Sequence, residues 1–196
     1  LTSSYYYMYA LLQAPAGLLV DIYGPRRLLS LGALVVAMGC LLFSYTPVFG
    51  LAVVGRLMMG AGAAFAFVGC LYVIAKWFPK NRFGLMVSLA ETLGMLGTLV
   101  GGVAMAYVIA HNGWRACMFY CSIVGLVLVV LLWVVVRDTV QRPRCTSATT
   151  AHSFPTFLSD VKKILKKPRA WINAGYSGCL FGILTVFVSM WSVPFF

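Results

Sequence analysis

Apolar runs of about 20 residues, the length that crosses a hydrocarbon core of roughly 30 Å at 1.5 Å per residue, recur six times in this chain. They lie approximately over 3–20, 28–46, 50–75, 84–110, 116–136 and 171–193. A segment withdrawn from water over that length must satisfy its own backbone N–H and C=O groups, which within one segment only a helix does. The chain therefore reads as an all-α polytopic membrane protein. Composition agrees, since 62% of the 196 residues are hydrophobic and 10% are charged, against about 45–50% and 25% in soluble domains. The connections are tight turns, apart from one long polar segment over 137–170.

A formal net charge of +11, from 15 Lys and Arg against 4 Asp and Glu, would suggest a nucleic-acid partner in a soluble protein. The placement of the charges excludes that class. Thirteen of the 15 basic residues fall in segments 21–27, 76–82 and 137–170, all on one side of the six-span arrangement. Arg115 alone falls on the other side, and Arg56 lies inside the third run. Basic residues stay on the cytoplasmic side of a membrane, so the three segments are expected to be cytoplasmic in a multi-pass protein of the inner or plasma membrane. The first helix then runs from outside to inside. Because the chain opens with Leu1 and closes on Phe195 and Phe196, directly after an apolar span, we expect a fragment of a longer protein, with a helix upstream.

The six cysteines contain no C-x-x-C pair, and His111 and His152 fall in loops on opposite sides, so no metal site is expected. Tyr5, Tyr6, Tyr7 and Tyr9, Trp77 with Phe78, and Trp114 mark span ends, where amphipathic rings favour the headgroup zone. Small residues mark where helices can approach closely: Ala10, Ala14 and Gly17 in the first span, Gly60 and Ala64 in the third, and Gly97 and Gly101 in the fourth. No G-x-S-x-G, no P-loop and no paired His and carboxylate is present. An enzyme is therefore not expected, nor a cofactor.

The stretch Gly17-Leu-Leu-Val-Asp21-Ile-Tyr-Gly24-Pro-Arg26-Arg27 resembles the signature G-x-L-a-D-r-x-G-r-r that joins the second and third helices of the major facilitator superfamily. Arg56-x-x-x-Gly60-x-Gly62 is similar to that family's fourth-helix motif. Trp77-Phe78-Pro79 with Arg82 resembles its loop before helix five, and Gly113-Trp114-Arg115 and Arg137-Asp138 its boundaries around helix six. The resemblance covers essentially the whole chain. It implies that the six spans are helices two to seven of a twelve-helix transporter: residues 1–136 an N-terminal bundle lacking its first helix, 137–170 a cytoplasmic linker, and 171–196 the first helix of the C-terminal bundle. It also implies that Gly17, Asp21, Gly24, Arg26 and Arg27 form a cytoplasmic gate. Ile22 stands where the family usually carries a basic residue.

Arg56 is the most expensive residue of the chain, about six positions and so roughly 9 Å inside its span, where a charge costs on the order of 2.5–3.5 kcal/mol. Snorkelling to the outer headgroups would relieve it, whereas the resemblance implies proton coupling or contact with an anionic solute. Glu91 is the one acidic residue inside a span. Loss of water favours the neutral form of a carboxyl group, so an acid in a cavity suits the uptake and release of a proton; a structural pair with Arg56, or with a helix outside this chain, is the alternative. Gly97-Thr98-Leu-Val-Gly101-Gly102 partly resembles an antiporter motif, with Thr98 where proline is expected, and Gly60, Gly62, Gly97, Gly101 and Gly102 are expected at helix contacts.

In the linker, Phe157, Leu158, Val161, Ile164 and Leu165 fall on one helical face, with Lys162, Lys163, Lys166 and Lys167 around the rest. This is the pattern of a basic helix lying on anionic lipid. Together the residues and the resemblance describe a secondary active transporter of a small organic solute, proton-coupled through Arg56 and Glu91, working by alternating access as a monomer of the full-length chain. An organophosphate or sugar-phosphate exchanger of the same fold, and a non-transporting sensor or scaffold, are the alternatives.

Overall fold

The computed structural model describes residues 2–136 and 168–186, and every element among them is helical. The chain divides into two units, Leu1–Val140 and Gln141–Phe196. In the first, α1 is Thr2–Tyr23, α2 is Pro25–Tyr45 and α3 is Phe49–Trp77. A 3-10 turn over Lys80–Arg82 leads into the helical run Phe83–Val135. That run breaks at Gly113, so we describe it as α4 (83–112) and α5 (114–135). In the second unit, α6 is Pro168–Val186, with Trp171, Ile172 and Tyr176 exposed.

Among the described residues three helical runs are long and apolar enough to cross a membrane: Pro25–Tyr45, Phe49–Trp77 and Lys80–Val135, the last with 56 residues. A single crossing needs about 20, so the last holds two crossings' worth of chain. The sequence places a loop over 111–115, but the structure confines the interruption to one residue. Gly113 has φ 80 and ψ 167, a backbone conformation that a Cβ would strain. The chain folds back there: Cys117 Sγ comes within 4.0 Å of the Met105 carbonyl, although twelve residues of straight helix would span about 18 Å. Gly24 repeats the device between α1 and α2, with φ 82 and ψ 155. Pro25 follows at the first helical position, where its missing N–H costs nothing. Pro168 likewise opens α6, so this helix starts ahead of the apolar run read from the sequence.

Two rims define the first unit. At the basic rim, the end of α1 and the start of α2 face the end of α3, with Asp21 to Arg27 beside Tyr72 to Trp77. At the far rim, Tyr5 of α1 and Phe43 of α2 lie against the first half of α3. Hence α1 and α3 run in parallel and α2 runs against both. Packing between α2 and α3 is set by glycine pairs. A Cβ on Gly39 would stand 2.8 Å from the Gly55 carbonyl, and one on Gly62 would run into the Gly32 carbonyl. From 32 to 39 on one helix and from 62 to 55 on the other is seven residues, the repeat of a shallow left-handed crossing. Gly60 meets the Tyr5 backbone with the same closeness. In lipid this approach supplies the dispersion contacts that hydrophobic expulsion supplies in water.

Two buried clusters result, one of Ala16, Val20, Leu28 and Phe65, the other of Cys40, Phe43 and Met59 with Met118 and Cys121 against it. The second brings α5 onto α2, where a Cβ on Gly125 would stand 2.9 Å from that of Ala37. By contrast, α4 presents its side chains outward along nearly its whole length. Its hydroxyls satisfy themselves within the helix: Ser88 donates to the Gly84 carbonyl at 3.0 Å, Thr92 to Ser88 at 2.8 Å and Thr98 to Gly94 at 2.9 Å.

Candidate functional site

At the basic rim a cavity of about 290 Å³ lies between the α1–α2 turn and the end of α3. Asp21, Gly24 and Arg27 line it from one side and Tyr72, Lys76 and Trp77 from the other. The sharp turn at Gly24 places the carboxylate and the arginine on the same wall, and Lys76 lies 4.5 Å over the Tyr72 ring. One acid and two bases thus share a polar notch at the membrane surface. Arg26 turns away from it and stacks 4.4 Å over the Trp133 ring of α5. Gly17 lies one turn back on α1, with open space for 4 Å around the place a Cβ would occupy. Of the five residues expected in the gate, Asp21, Gly24 and Arg27 therefore meet at the cavity, while Arg26 ties α2 to α5.

The adjoining connection is also ordered by its sequence. The Phe78 N–H donates to the Ile74 carbonyl at 3.1 Å and ends α3, Pro79 cannot continue it, and the Arg82 N–H closes the next turn on the Pro79 carbonyl at 2.9 Å. This compact corner delivers α4 directly from α3.

Toward the far rim, Arg56 is half-buried on α3. Its guanidinium lies 4.8 Å over the Phe43 ring, and its Nε is buried without a hydrogen-bond partner. Phe43 meets Trp114 edge-to-face, with centroids 5.7 Å apart at 67°. Tyr5, within electrostatic range of Arg56, stacks on Tyr9 at 6.0 Å, and Gln13 Nε2 donates to the Tyr9 hydroxyl at 3.3 Å.

Glu91 is exposed on α4 and lies within electrostatic range of Cys70 on α3. Cys70 is fourteen residues beyond Arg56, about 21 Å along the helix axis. The structure does not bring Arg56 and Glu91 together, so the direct pair weighed from the sequence is not formed. Gly60 and Gly62 sit at the close contacts described above, whereas Gly97, Gly101 and Gly102 on α4 have no described neighbour within 4 Å of a Cβ position. Among the described residues no group of three His, Cys, Asp or Glu could hold a metal ion. The basic linker helix expected over 153–167 lies outside the described residues.

Sequence reasoning missed Phe43, the ring partner of Arg56 on another helix, and Trp114, which closes on Phe43, reads by itself as a span-end anchor. An arginine about six residues into a span was the available signal that some partner had to exist.

The family model described as Major Facilitator Superfamily matches residues 1–196. An uncharacterized transporter, YybO of Bacillus subtilis, is 22% identical over 99% of this chain and 47% of its own length. The probable galactarate/D-glucarate transporter GudP of Escherichia coli is 24% identical over 72% of this chain and 33% of its own. D-xylose-proton symporter-like 2 of Arabidopsis thaliana is 32% identical over 50% of this chain and 20% of its own. The chain thus spans about half or less of the length of these relatives.

Proposed function

Because the chain belongs to the major facilitator superfamily, we propose that it is the front part of a proton-coupled secondary transporter of a small organic solute. The relatives are named as transporters, one of them as a proton symporter. The observation that carries the proposal is a pair of uncompensated charges. Arg56 and Glu91 stand on membrane-crossing helices, and neither has an ion-pair partner among the described residues. Charges at such depth are costly and are kept for pathways and relays.

In this reading Glu91 takes up and releases the coupling proton, and Arg56 meets an anionic group of the solute. Rocking of two helical bundles around a central site then carries the solute across. The basic rim is the cytoplasmic side. Asp21, Gly24 and Arg27 belong to the gate there, and the linker helix over 153–167 lies on anionic lipid. The whole protein works as a monomer in the plasma or inner membrane.

The test is accumulation of labelled solute by the intact protein in proteoliposomes under an imposed proton gradient. D-glucarate, a dianion, and D-xylose, a neutral sugar, serve as first probes. Glu91→Gln is expected to abolish gradient-driven accumulation while sparing solute exchange. Unchanged accumulation in that variant would remove Glu91 from the coupling step.

A further inference from the structure

We propose that Phe43 and Trp114 are positioning residues for Arg56, holding its guanidinium in place for an anionic solute without neutralising it. The inference rests on the reading above that Arg56 meets the anionic group. It adds the residues that aim the cation and a reason why they are aromatic.

An arginine side chain has a large rotamer entropy to lose on being fixed, and something must hold it if it is to receive a ligand in one geometry. A carboxylate would do so but would also cancel the charge and compete with the solute. An aromatic face attracts the cation through its quadrupole and leaves the in-plane N–H groups free. Those edges are the ones that take a carboxylate in a two-pronged hydrogen bond. Arg56 has its guanidinium carbon 4.8 Å over the Phe43 ring, its Nε unpartnered, and no carboxylate paired with it among the described residues.

The ring is itself held. Phe43 is 9% exposed, and Trp114 closes on it edge-to-face at 5.7 Å. Behind it, Ser44 Oγ donates to the Arg115 carbonyl at 2.9 Å, and Tyr45 meets Phe119 at 6.1 Å and 85°. The backbones are also closely packed, because a Cβ on Gly55, next to Arg56, would stand 3.0 Å from the Gly39 carbonyl. Trp114 is the first residue after the break at Gly113. The chain of support therefore runs from a backbone conformation on one helix, through two rings, to a cation on another.

The experiment measures KM and maximal rate for D-glucarate uptake by the intact protein carrying Phe43→Leu, Phe43→Tyr, Trp114→Leu, Trp114→Phe and Arg56→Gln. Phe43→Leu is expected to raise KM about 5- to 10-fold, as loss of a desolvated cation–π contact does, with the maximal rate within about twofold. Phe43→Tyr and Trp114→Phe restore wild-type KM, Trp114→Leu raises it about 2- to 3-fold, and Phe43→Leu adds nothing in the Arg56→Gln background. A purely structural ring would instead lower the maximal rate and the folded yield together and leave KM alone. An unchanged KM in Phe43→Leu, where Arg56→Gln moves it, overturns the inference. If Arg56→Gln leaves KM unchanged, the functional reading of Arg56 fails; in that case, or if the wild type moves no D-glucarate, thermal unfolding decides the positioning. Non-additive shifts for Phe43→Leu and Arg56→Gln support it, and additive shifts overturn it.

Discussion

Arg26 lies with its guanidinium 4.4 Å over the ring of Trp133, joining the first turn of α2 to the last turn of α5. With Ala37 against Gly125 midway and Phe43 against Trp114 at the far rim, α2 and α5 are fastened at both ends and in the middle. Trp133→Leu is expected to lower the stability of the purified protein by about 1 kcal/mol, the scale of a partly exposed cation–π contact. The melting midpoint in detergent checks this, with Trp133→Phe giving a smaller change.

Gly113 folds the chain back without a loop, at φ 80. Any other L-residue in that conformation, with ψ at 167, costs about 1–3 kcal/mol. Gly113→Ala is expected to lower the melting midpoint accordingly, and to raise the KM for solute by disturbing Trp114 beside it. Gly50→Ala, with open space around its Cβ position, serves as the control and should leave the midpoint nearly unchanged.

The α2–α3 seam makes a sharper demand. A methyl on Gly62 would run into the Gly32 carbonyl and stand 2.6 Å from Val36 Cγ2. Overpacking of this kind costs about 1–3 kcal/mol. Gly62→Ala is expected to reduce folded yield and melting midpoint, and Gly62→Leu to abolish folding, both read by size-exclusion profile and thermal unfolding.

At the basic rim, Asp21 shares its cavity with Arg27 and Lys76. Contacts between such partly exposed charges are worth up to about 1 kcal/mol, so Asp21→Asn is expected to shift the balance of inward- and outward-open states by no more than about fivefold. Labelling rates of cysteines introduced at the two rims of an otherwise cysteine-free protein report that ratio. An unchanged ratio would remove Asp21 from the gate.

The helices over 28–46, 50–75, 84–110 and 116–136 were legible in the sequence because each is a long apolar run whose backbone has no alternative to a helix. The turn at 111–115 was overestimated because His111, Asn112 and Arg115 look like loop residues, yet one positive-φ glycine suffices and its neighbours stay helical. Gly60 could be assigned to a contact from its spacing with Ala64, and Gly62 through the fourth-helix motif, but Gly32, Gly39 and Gly55, which form the rest of the α2–α3 seam, carry no such local mark. Arg56 stood out by the cost of its charge. Its partner did not, because which ring lies under a guanidinium depends on how α2 and α3 cross.

The most direct measurement is uptake of labelled solute by the reconstituted intact protein under an inward proton gradient, with Glu91→Gln alongside. We expect gradient-driven accumulation by the wild type, and exchange without accumulation by the variant. A wild type that accumulates no solute across D-glucarate, D-xylose and a wider panel of small organic anions and sugars would contradict proton-coupled transport.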